Sequence, residues 1–284
     1  IIMEPSTGNI LAMASYPNFD LNEPFVPNTK EAKENWDTLT AEEKSNFLNK
    51  MWRNKNVVDL YEPGSTFKTL VSSIALDENI TEIDTSKDFY CKGHENINGT
   101  KIRCWSTNPH GYQTLTEALA NSCNPAFMQL GKRIGIDTYY KYFEAFGLFN
   151  TTGISLPGES SSIFHDKDKI NATNIATMSF GQRFEITPIQ LITAVSSLAN
   201  GGILVKPQIV SKTVNNDTGS VTSTETEEVR QVVSKETADS VIDMMEYVVS
   251  NGTGKKGAVK GYTIAGKTGT SEAKVGSDDA NTLS

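Results

Sequence analysis

The sequence predicts a mixed α/β (α+β layered) fold: an antiparallel sheet packed by helices, with a helical subdomain inserted in the middle of the chain. Two observations predict it. Short apolar runs with strand character stand near both ends of the chain, and helical periodicities fill the centre. No internal repeat or low-complexity linker divides the 284 residues, so they read as one large domain spanning 1–284.

In order, Ile1 to Pro5 and Ile10 to Ala14 are apolar runs about Ser6-Thr7-Gly8-Asn9, a β-hairpin pattern. Residues 17–40 are rich in Pro and Asn and read as surface chain. Ala41 to Asn54 reads as a helix with Phe47, Leu48, Met51 and Trp52 as its buried face. A helix beginning at Ser65 runs to about Asn79. Residues 86–112 read as an irregular insert, followed by helices near 114–122, 125–134, 136–147 and 187–200. Val205 to Val214 and Val221 to Val232 are extended arms about Asn215, Asp217 and Gly219. Thr237 to Ser250 is an amphipathic helix and Tyr262 to Thr270 a strand.

Composition narrows the function classes. Twenty-six Lys and Arg against thirty-four Asp and Glu give a net charge of -8, which offers nucleic acid no general attraction. No apolar run approaches bilayer length, and nothing reads as a signal peptide. The first residue is not methionine, and Ile1 already looks like the middle of a strand, so a fragment is expected.

Three short motifs carry the chemistry. In Glu62-Pro63-Gly64-Ser65-Thr66-Phe67-Lys68, Pro-Gly marks a turn and the residues after it have helical spacing. That puts Ser65 at a helix start with Lys68 one turn on, on the same face. A neutral lysine against a serine hydroxyl can act as its base. The plain alternative is a capping serine followed by a solvated lysine, and Ser271-x-x-Lys274 repeats the spacing. Ser122 and Asn124 in Asn121-Ser122-Cys123-Asn124-Pro125 could both project from a tight turn between helices, although Ser106-Thr107-Asn108 shows the same spacing. Lys267, Thr268, Gly269 and Thr270 close the last strand, presenting a cation, hydroxyls and a small residue to an anionic, extended substrate.

The order Ser-x-x-Lys, Ser-x-Asn, Lys-Thr-Gly resembles the transpeptidase domain of class B, monofunctional penicillin-binding proteins. The resemblance extends to Glu4 to Met13, Leu156-Pro157-Gly158-Glu159, Thr177 to Gln182, Thr187 to Leu191 and Ala265 to Thr270. It implies a penicillin-binding, serine β-lactamase-like fold and a peptidoglycan D,D-transpeptidase working through an acyl-serine. β-Lactams would acylate the same serine, and no cofactor would be needed for catalysis. The implied catalytic residues are Ser65 as nucleophile, Lys68 as base, Ser122 as proton relay, Asn124 as a brace, and Lys267 as the cation that depresses Lys68. Thr268 and Thr270 would bind the substrate carboxylate. The backbone N–H groups of Ser65 and Thr270 would form the oxyanion hole.

The implied partners are peptidoglycan stem peptides, β-lactams and a glycosyltransferase of a cell-wall synthesis complex, at the outer face of the cell membrane. The family carries an anchor and pedestal before the position of Ile1. It continues past Lys-Thr-Gly with two further strands and a helix, so a product ending at Ser284 is expected to be poorly stable. Rival readings are a serine β-lactamase, for which Glu159 is the carboxylate to examine, and a β-lactam sensor that is acylated without turnover. His165 reads as a solvated loop residue, Arg183 as structural rather than a substrate contact, and Trp52 and Trp105 as packing.

Cysteine usage adds a metal reading. Cys91, Cys104 and Cys123 are the only cysteines and share one stretch with His94 and His110. Asn98-Gly99 is a hairpin signal that would bring Cys91 and Cys104 together. Thiolates with an imidazole suit a tetrahedral structural zinc held by Cys91, Cys104, His110 and Cys123. Cys123 is the ligand that His94 or Asp88 could replace. A Cys91–Cys104 disulfide with an inert Cys123, or free thiols, are the alternatives.

Overall fold

The computed structural model describes residues 1–84 and 86–270. Ser271 and Lys274, the repeat of the Ser-x-x-Lys spacing, lie outside the described residues. The terminal hairpin forms as expected. β1 (Ile2–Met3) pairs antiparallel with β2 (Ile10–Ala12), Ile2 opposite Ala12 and Met3 opposite Ile10. Gly8, at φ +76°, approaches Lys206 so closely that a Cβ would stand 2.2 Å from the Lys206 carbonyl oxygen.

Helix α1 (Lys30–Asn35) interrupts the stretch that the sequence suggested was irregular, capped by the Thr29 side chain. In α2 (Ala41–Trp52), started by a Thr40/Glu43 capping box, only Met51 is buried. Phe47 and Leu48 are half-buried, and Trp52 lies at the surface against Phe25, donating its Nε1–H to Pro24 O at 2.7 Å. The predicted buried face of this helix is therefore largely a surface one.

After α3 (Lys55–Val58), a 3-10 turn over Gly64–Phe67 leads into α4 (Lys68–Asp77). Every residue from Lys68 to Ala75 is buried, and the hydroxyls of Thr69, Ser72 and Ser73 donate back to the carbonyls of Thr66, Lys68 and Leu70. α4 packs against α5 (Leu115–Ala120), α6 (Asn124–Ala145), α8 (Pro188–Leu198) and α9 (Lys235–Asn251). Phe67, Leu70, Val71 and Ile74 are fully buried in the main core. Each contributes about 2 kcal/mol of apolar burial, so the Ser65 turn runs directly into the main core.

The insert of residues 86–112 is two ribbons rather than irregular chain. β3 (Phe89–Cys91) pairs with β6 (Gly111–Gln113), and β4 (His94–Ile97) pairs with β5 (Thr100–Arg103). Asn98 and Gly99, at φ 48° and 83°, make the two-residue turn that the sequence signalled. The helices predicted at 125–134 and 136–147 are one run broken at Gly135, whose φ of 75° and ψ of 163° are not helical. α7 (Ala172–Met178) had no periodicity to announce it. The predicted arms form as β7 (Ile203–Val205) with β10 (Glu228–Gln231), and β8 (Lys212–Val214) with β9 (Val221–Ser223).

The fold is thus mixed α/β, but the described strands form two-stranded sheets rather than one broad layer. Tyr262 to Thr270 is not a strand among the described residues. A strand is defined by its ladder, and this segment instead hangs on α9 through Gly266 N–H to Met245 O at 3.1 Å. Among the described residues no helix is long and apolar enough to cross a membrane.

Candidate active site

The Ser65 turn is clamped from behind. Gly64, at φ 58°, donates its N–H to Gly181 O at 2.9 Å, and Thr66 Oγ1 donates to Pro63 O at 2.7 Å. Gly181, at φ +82°, lies so close that a Cβ would stand 2.1 Å from Gly64 O. Tyr61 and Ile186 exchange backbone hydrogen bonds at 3.1 Å, and Arg183 N–H donates to Glu62 Oε1 at 2.9 Å. Arg183 therefore serves the turn through its backbone, as the structural reading of that residue anticipated.

Lys68 is fully buried. Its Nζ lies 2.8 Å from Ser122 O, 2.7 Å from Asn124 Oδ1 and 3.2 Å from Ser122 Oγ. Burial first, and the nearby Lys267 ammonium second, hold the Lys68 ammonium well below the ordinary lysine range. Cys123 and Cys104 act weakly the other way. A neutral amine has two N–H donors and one lone pair. The two carbonyl-type oxygens can take the donors, which leaves the lone pair for a hydroxyl proton.

Lys267 Nζ lies 3.0 Å from Ser122 Oγ and 2.8 Å from Thr268 O, and burial pushes it down to about 8. Ser122 Oγ is thus shared between two amines. That placement lets Ser122 Oγ accept a proton from Lys68 and hand its own to a group in the cleft. Ser122 sits at φ 49°, a conformation costly for a residue with a Cβ, kept here by Ser122 N–H to Leu119 O at 3.0 Å. The competing Ser106-x-Asn108 is a local surface turn, with Ser106 Oγ donating to Asn108 O at 2.8 Å.

Ser122 and Asn124 face a cleft of about 370 Å³ that they line together with Ser65, Thr253, Thr268 and Thr270, and with Trp105, Phe180 and Gln182; Lys68 and Lys267 reach it through Ser122 Oγ. Gly269 packs on Thr66, where a Cβ would meet Thr66 Cγ2 at 2.8 Å. Sequence reading missed Phe180, Gln182 and Thr253 as cleft residues. It also placed Trp105 in packing, whereas the residue is 60% exposed at the cleft. Thr253 enters because its Oγ1 accepts from Thr268 Oγ1 at 3.2 Å, a link no local pattern announces. Glu159 is absent from this lining. Its carboxylate accepts from Thr152 N–H and Oγ1 at 2.6 and 2.7 Å and from Gly153 N–H at 3.1 Å, which makes it a turn brace. His165 is exposed, its carbonyl accepting from Tyr140 OH.

Behind the Ser122 turn, one donor atom from each of Cys91, Cys104, His110 and Cys123 falls within 4.8 Å of every other. The cysteines are free and buried, so the Cys91–Cys104 disulfide is not formed. Cys104 Sγ lies 3.7 Å from His110 Nδ1. A hydrogen bond from Cys123, backbone N–H groups of Ser106 and Asn124, and the neighbouring His110 hold the Cys104 thiol down to about 5. The Cys123 thiol, donor in that pair and buried, is pushed up. Buried Gln113 has an Nε2 with no hydrogen-bond partner, and its amide favours a Cys123 thiolate. Amide donors turned toward sulfur suit thiolates that ligate a soft cation. His94 and Asp88 stand outside the group of four, Asp88 pairing with Arg133 at 3.5 Å.

Comparison with known proteins follows the same line. The family model described as the penicillin binding protein transpeptidase domain matches residues 1–283. The chain is 36% identical to stage V sporulation protein D of Bacillus subtilis over 96% of this chain and 39% of that protein. It is 31% identical to the peptidoglycan D,D-transpeptidase PbpA of Mycolicibacterium smegmatis, over 99% of this chain and 56% of that protein. The D,D-transpeptidase domain of a peptidoglycan glycosyltransferase from Eggerthella lenta superposes with a TM-score of 0.81 at 28% identity. That match covers 96% of this chain and 66% of the other. The chain thus spans well under two thirds of the two curated relatives.

Proposed function

Because the chain belongs to the penicillin-binding protein transpeptidase domain family, we propose that it forms the catalytic domain of a serine D,D-transpeptidase that cross-links peptidoglycan stem peptides. The observation that carries the reading is the buried Lys68 amine, held between Ser122 and Asn124 one helical turn from Ser65. Ser65 Oγ attacks the carbonyl of the penultimate D-Ala while its proton passes to neutral Lys68. The Ser65 and Thr270 backbone N–H groups receive the oxyanion. Collapse breaks the C–N bond to the terminal D-Ala. Ser122 Oγ gives its proton to that leaving amine and is refilled from Lys68. The amine of a second stem peptide then attacks the acyl-serine, its proton returning by the same route to Ser65. Lys267, Thr268, Thr270 and Thr253 hold the substrate carboxylate.

Cys91, Cys104, His110 and Cys123 would hold one structural zinc, whose part is to brace the Ser122 turn and not to enter the reaction. The setting is the outer face of the cell membrane, beside a glycosyltransferase that supplies the glycan strands. A β-lactamase would need a group to activate water, and the cleft lining among the described residues includes no carboxylate. A labelled penicillin is expected to attach to the purified protein and not to Ser65→Ala. Labelling that survives the substitution would end this reading, and acylation without any stem-peptide turnover would point to a sensor.

A further inference from the structure

The β4–β5 ribbon has two unlike faces. Residues directly opposite in an antiparallel pair point the same way, and successive residues alternate. Ile97 and Ile102 turn inward and pack against Met128, Ala176 and Phe180. His94 opposite Arg103, and Asn96 opposite Lys101, therefore turn outward. The ribbon is anchored at its base, where Cys104 N–H donates to Gly93 O at 2.9 Å and Trp105 Nε1–H donates to Asn121 O at 2.9 Å. Beside it, Tyr90 and Tyr112 stand opposite each other on the outer face of the β3–β6 ribbon. They are 46% and 67% exposed, with ring centroids 4.7 Å apart. Gln129 of α6 joins the two ribbons, its amide binding the Tyr90 backbone and the Glu95 carboxylate.

This surface carries positive charge. Lys92, Lys101 and Arg103 are exposed, and none has an ion-pair partner among the described residues. The acids of the insert, Asp88 and Glu95, are engaged, Asp88 with Arg133 at 3.5 Å and Glu95 with Gln129. The three cations gather about His94. Partial burial first, and then Lys101 and Lys92, hold its imidazole below the ordinary value, with Glu95 opposing and Arg103 adding to them. In a chain of net charge -8, unpaired cations beside two exposed aromatic rings fit a ligand that brings both carboxylates and flat, weakly polar faces. An uncross-linked peptidoglycan strand is such a ligand. Every unreacted stem peptide on it ends in a carboxylate, and its pyranose rings offer C–H faces to tyrosine. None of these residues lines the cleft, so a strand with one stem peptide at Ser65 can lay its neighbours along the ribbons.

We propose that the outer faces of the two ribbons form a second, non-catalytic binding surface for a peptidoglycan strand. Lys92, Lys101 and Arg103 take stem-peptide carboxylates, and Tyr90 and Tyr112 take sugar rings. This rests on the transpeptidase reading of the cleft. The test blocks the cleft of the purified protein with penicillin and measures binding of soluble, uncross-linked strands that keep their stem peptides. The blocked protein binds them, and strands stripped of stem peptides bind about tenfold more weakly. Lys101→Gln combined with Arg103→Gln lowers affinity for the intact strands about tenfold, as for loss of two exposed charge contacts, while the rate of acylation by penicillin stays within about twofold. Tyr112→Ala lowers the affinity at least about threefold, whereas Tyr112→Phe, which keeps the ring, does not. The proposal is overturned by absence of binding to the blocked protein, or by equal binding of polyglutamate or of anionic phospholipid vesicles. An affinity unchanged in the double charge variant or in Tyr112→Ala overturns it as well. Failure of penicillin to acylate the unsubstituted protein overturns the acyl-serine reading itself, a result distinct from any effect of the ribbon residues.

Discussion

Replacing Lys68 by arginine separates the charge of this side chain from its ability to lose a proton. Lys68 is fully buried, and its surroundings favour the neutral amine. A guanidinium stays charged at any working pH but has five N–H donors, enough to reach Ser122 O, Ser122 Oγ and Asn124 Oδ1. The hydrogen bonds of the turn can therefore survive while the base is lost. A positioned general base contributes about 10²–10⁴-fold, so acylation by a labelled penicillin should fall about 10³-fold, near 4 kcal/mol of barrier. The bulkier side chain beside Phe127 should cost about 1–3 kcal/mol of stability.

Stability against pH supplies a second readout. With the folded value depressed below 10.5, the unfolded chain binds more protons at this site than the native one. The native protein should therefore gain stability as pH rises from the depressed value toward 10.5, and lose it as pH falls. Arginine, charged in both states, removes that slope. Acylation by Lys68→Arg within tenfold of the unsubstituted protein, with folding intact, would refute the assignment of Lys68 as base.

Three further outcomes are expected. Gly181→Ala must displace the Ser65 turn, because its Cβ would stand 2.1 Å from Gly64 O at a φ of +82°. It should cost at least about 1–3 kcal/mol in thermal unfolding and slow acylation by more than tenfold; an unchanged melting temperature would count against the clamp. The acylation constant for a carboxylate-bearing substrate should fall as pH rises past about 8, where Lys267 loses its charge, and Lys267→Arg should move that limb upward. Only a pH–rate series that leaves the limb in place would exclude Lys267 from carboxylate binding. Elemental analysis should find one zinc per chain, with a chelator lowering the melting temperature by at least about 5 °C; protein purified without reductant that contains no zinc and two oxidised cysteines would reject the metal.

The parts of the site legible in the sequence are those set by short-range geometry. Ser65 and Lys68 share a helix face because they are three residues apart. Ser122 and Asn124 project together because a helix ends at Ala120 and another starts at Asn124. The hairpin signal at Asn98-Gly99 correctly brought Cys91 and Cys104 into one ribbon insert. What was not legible depends on distant segments. Trp105 reads as packing until Asn121 is seen to accept its N–H, and Thr253 means nothing until Thr268 lies beside it. Trp52 looks like a core residue by helical period, but a short helix at the surface has no second layer to cover that face. The strand expected at 262–270 has the right residues and no ladder partner among the described ones, because β-propensity expresses pairing rather than a property of the backbone alone.

The Ser122 turn explains why the two clusters, one at the cleft and one behind it, are neighbours in sequence. Ser122 and Asn124 give oxygens to Lys68, whereas Cys123 between them joins Cys91, Cys104 and His110. The positive φ of Ser122 lets consecutive side chains leave the turn on different sides. The Asn124 backbone N–H favours the Cys104 thiolate while its side chain holds the lysine, so one residue faces both clusters. A base buried among fixed oxygens is sensitive to displacements of a fraction of an ångström. The φ strain at Ser122 would favour relaxation if nothing opposed it. The zinc proposed at Cys91, Cys104, His110 and Cys123 would oppose that relaxation from behind the cleft, which would make the position inside the Ser-x-Asn motif a useful place for a thiol.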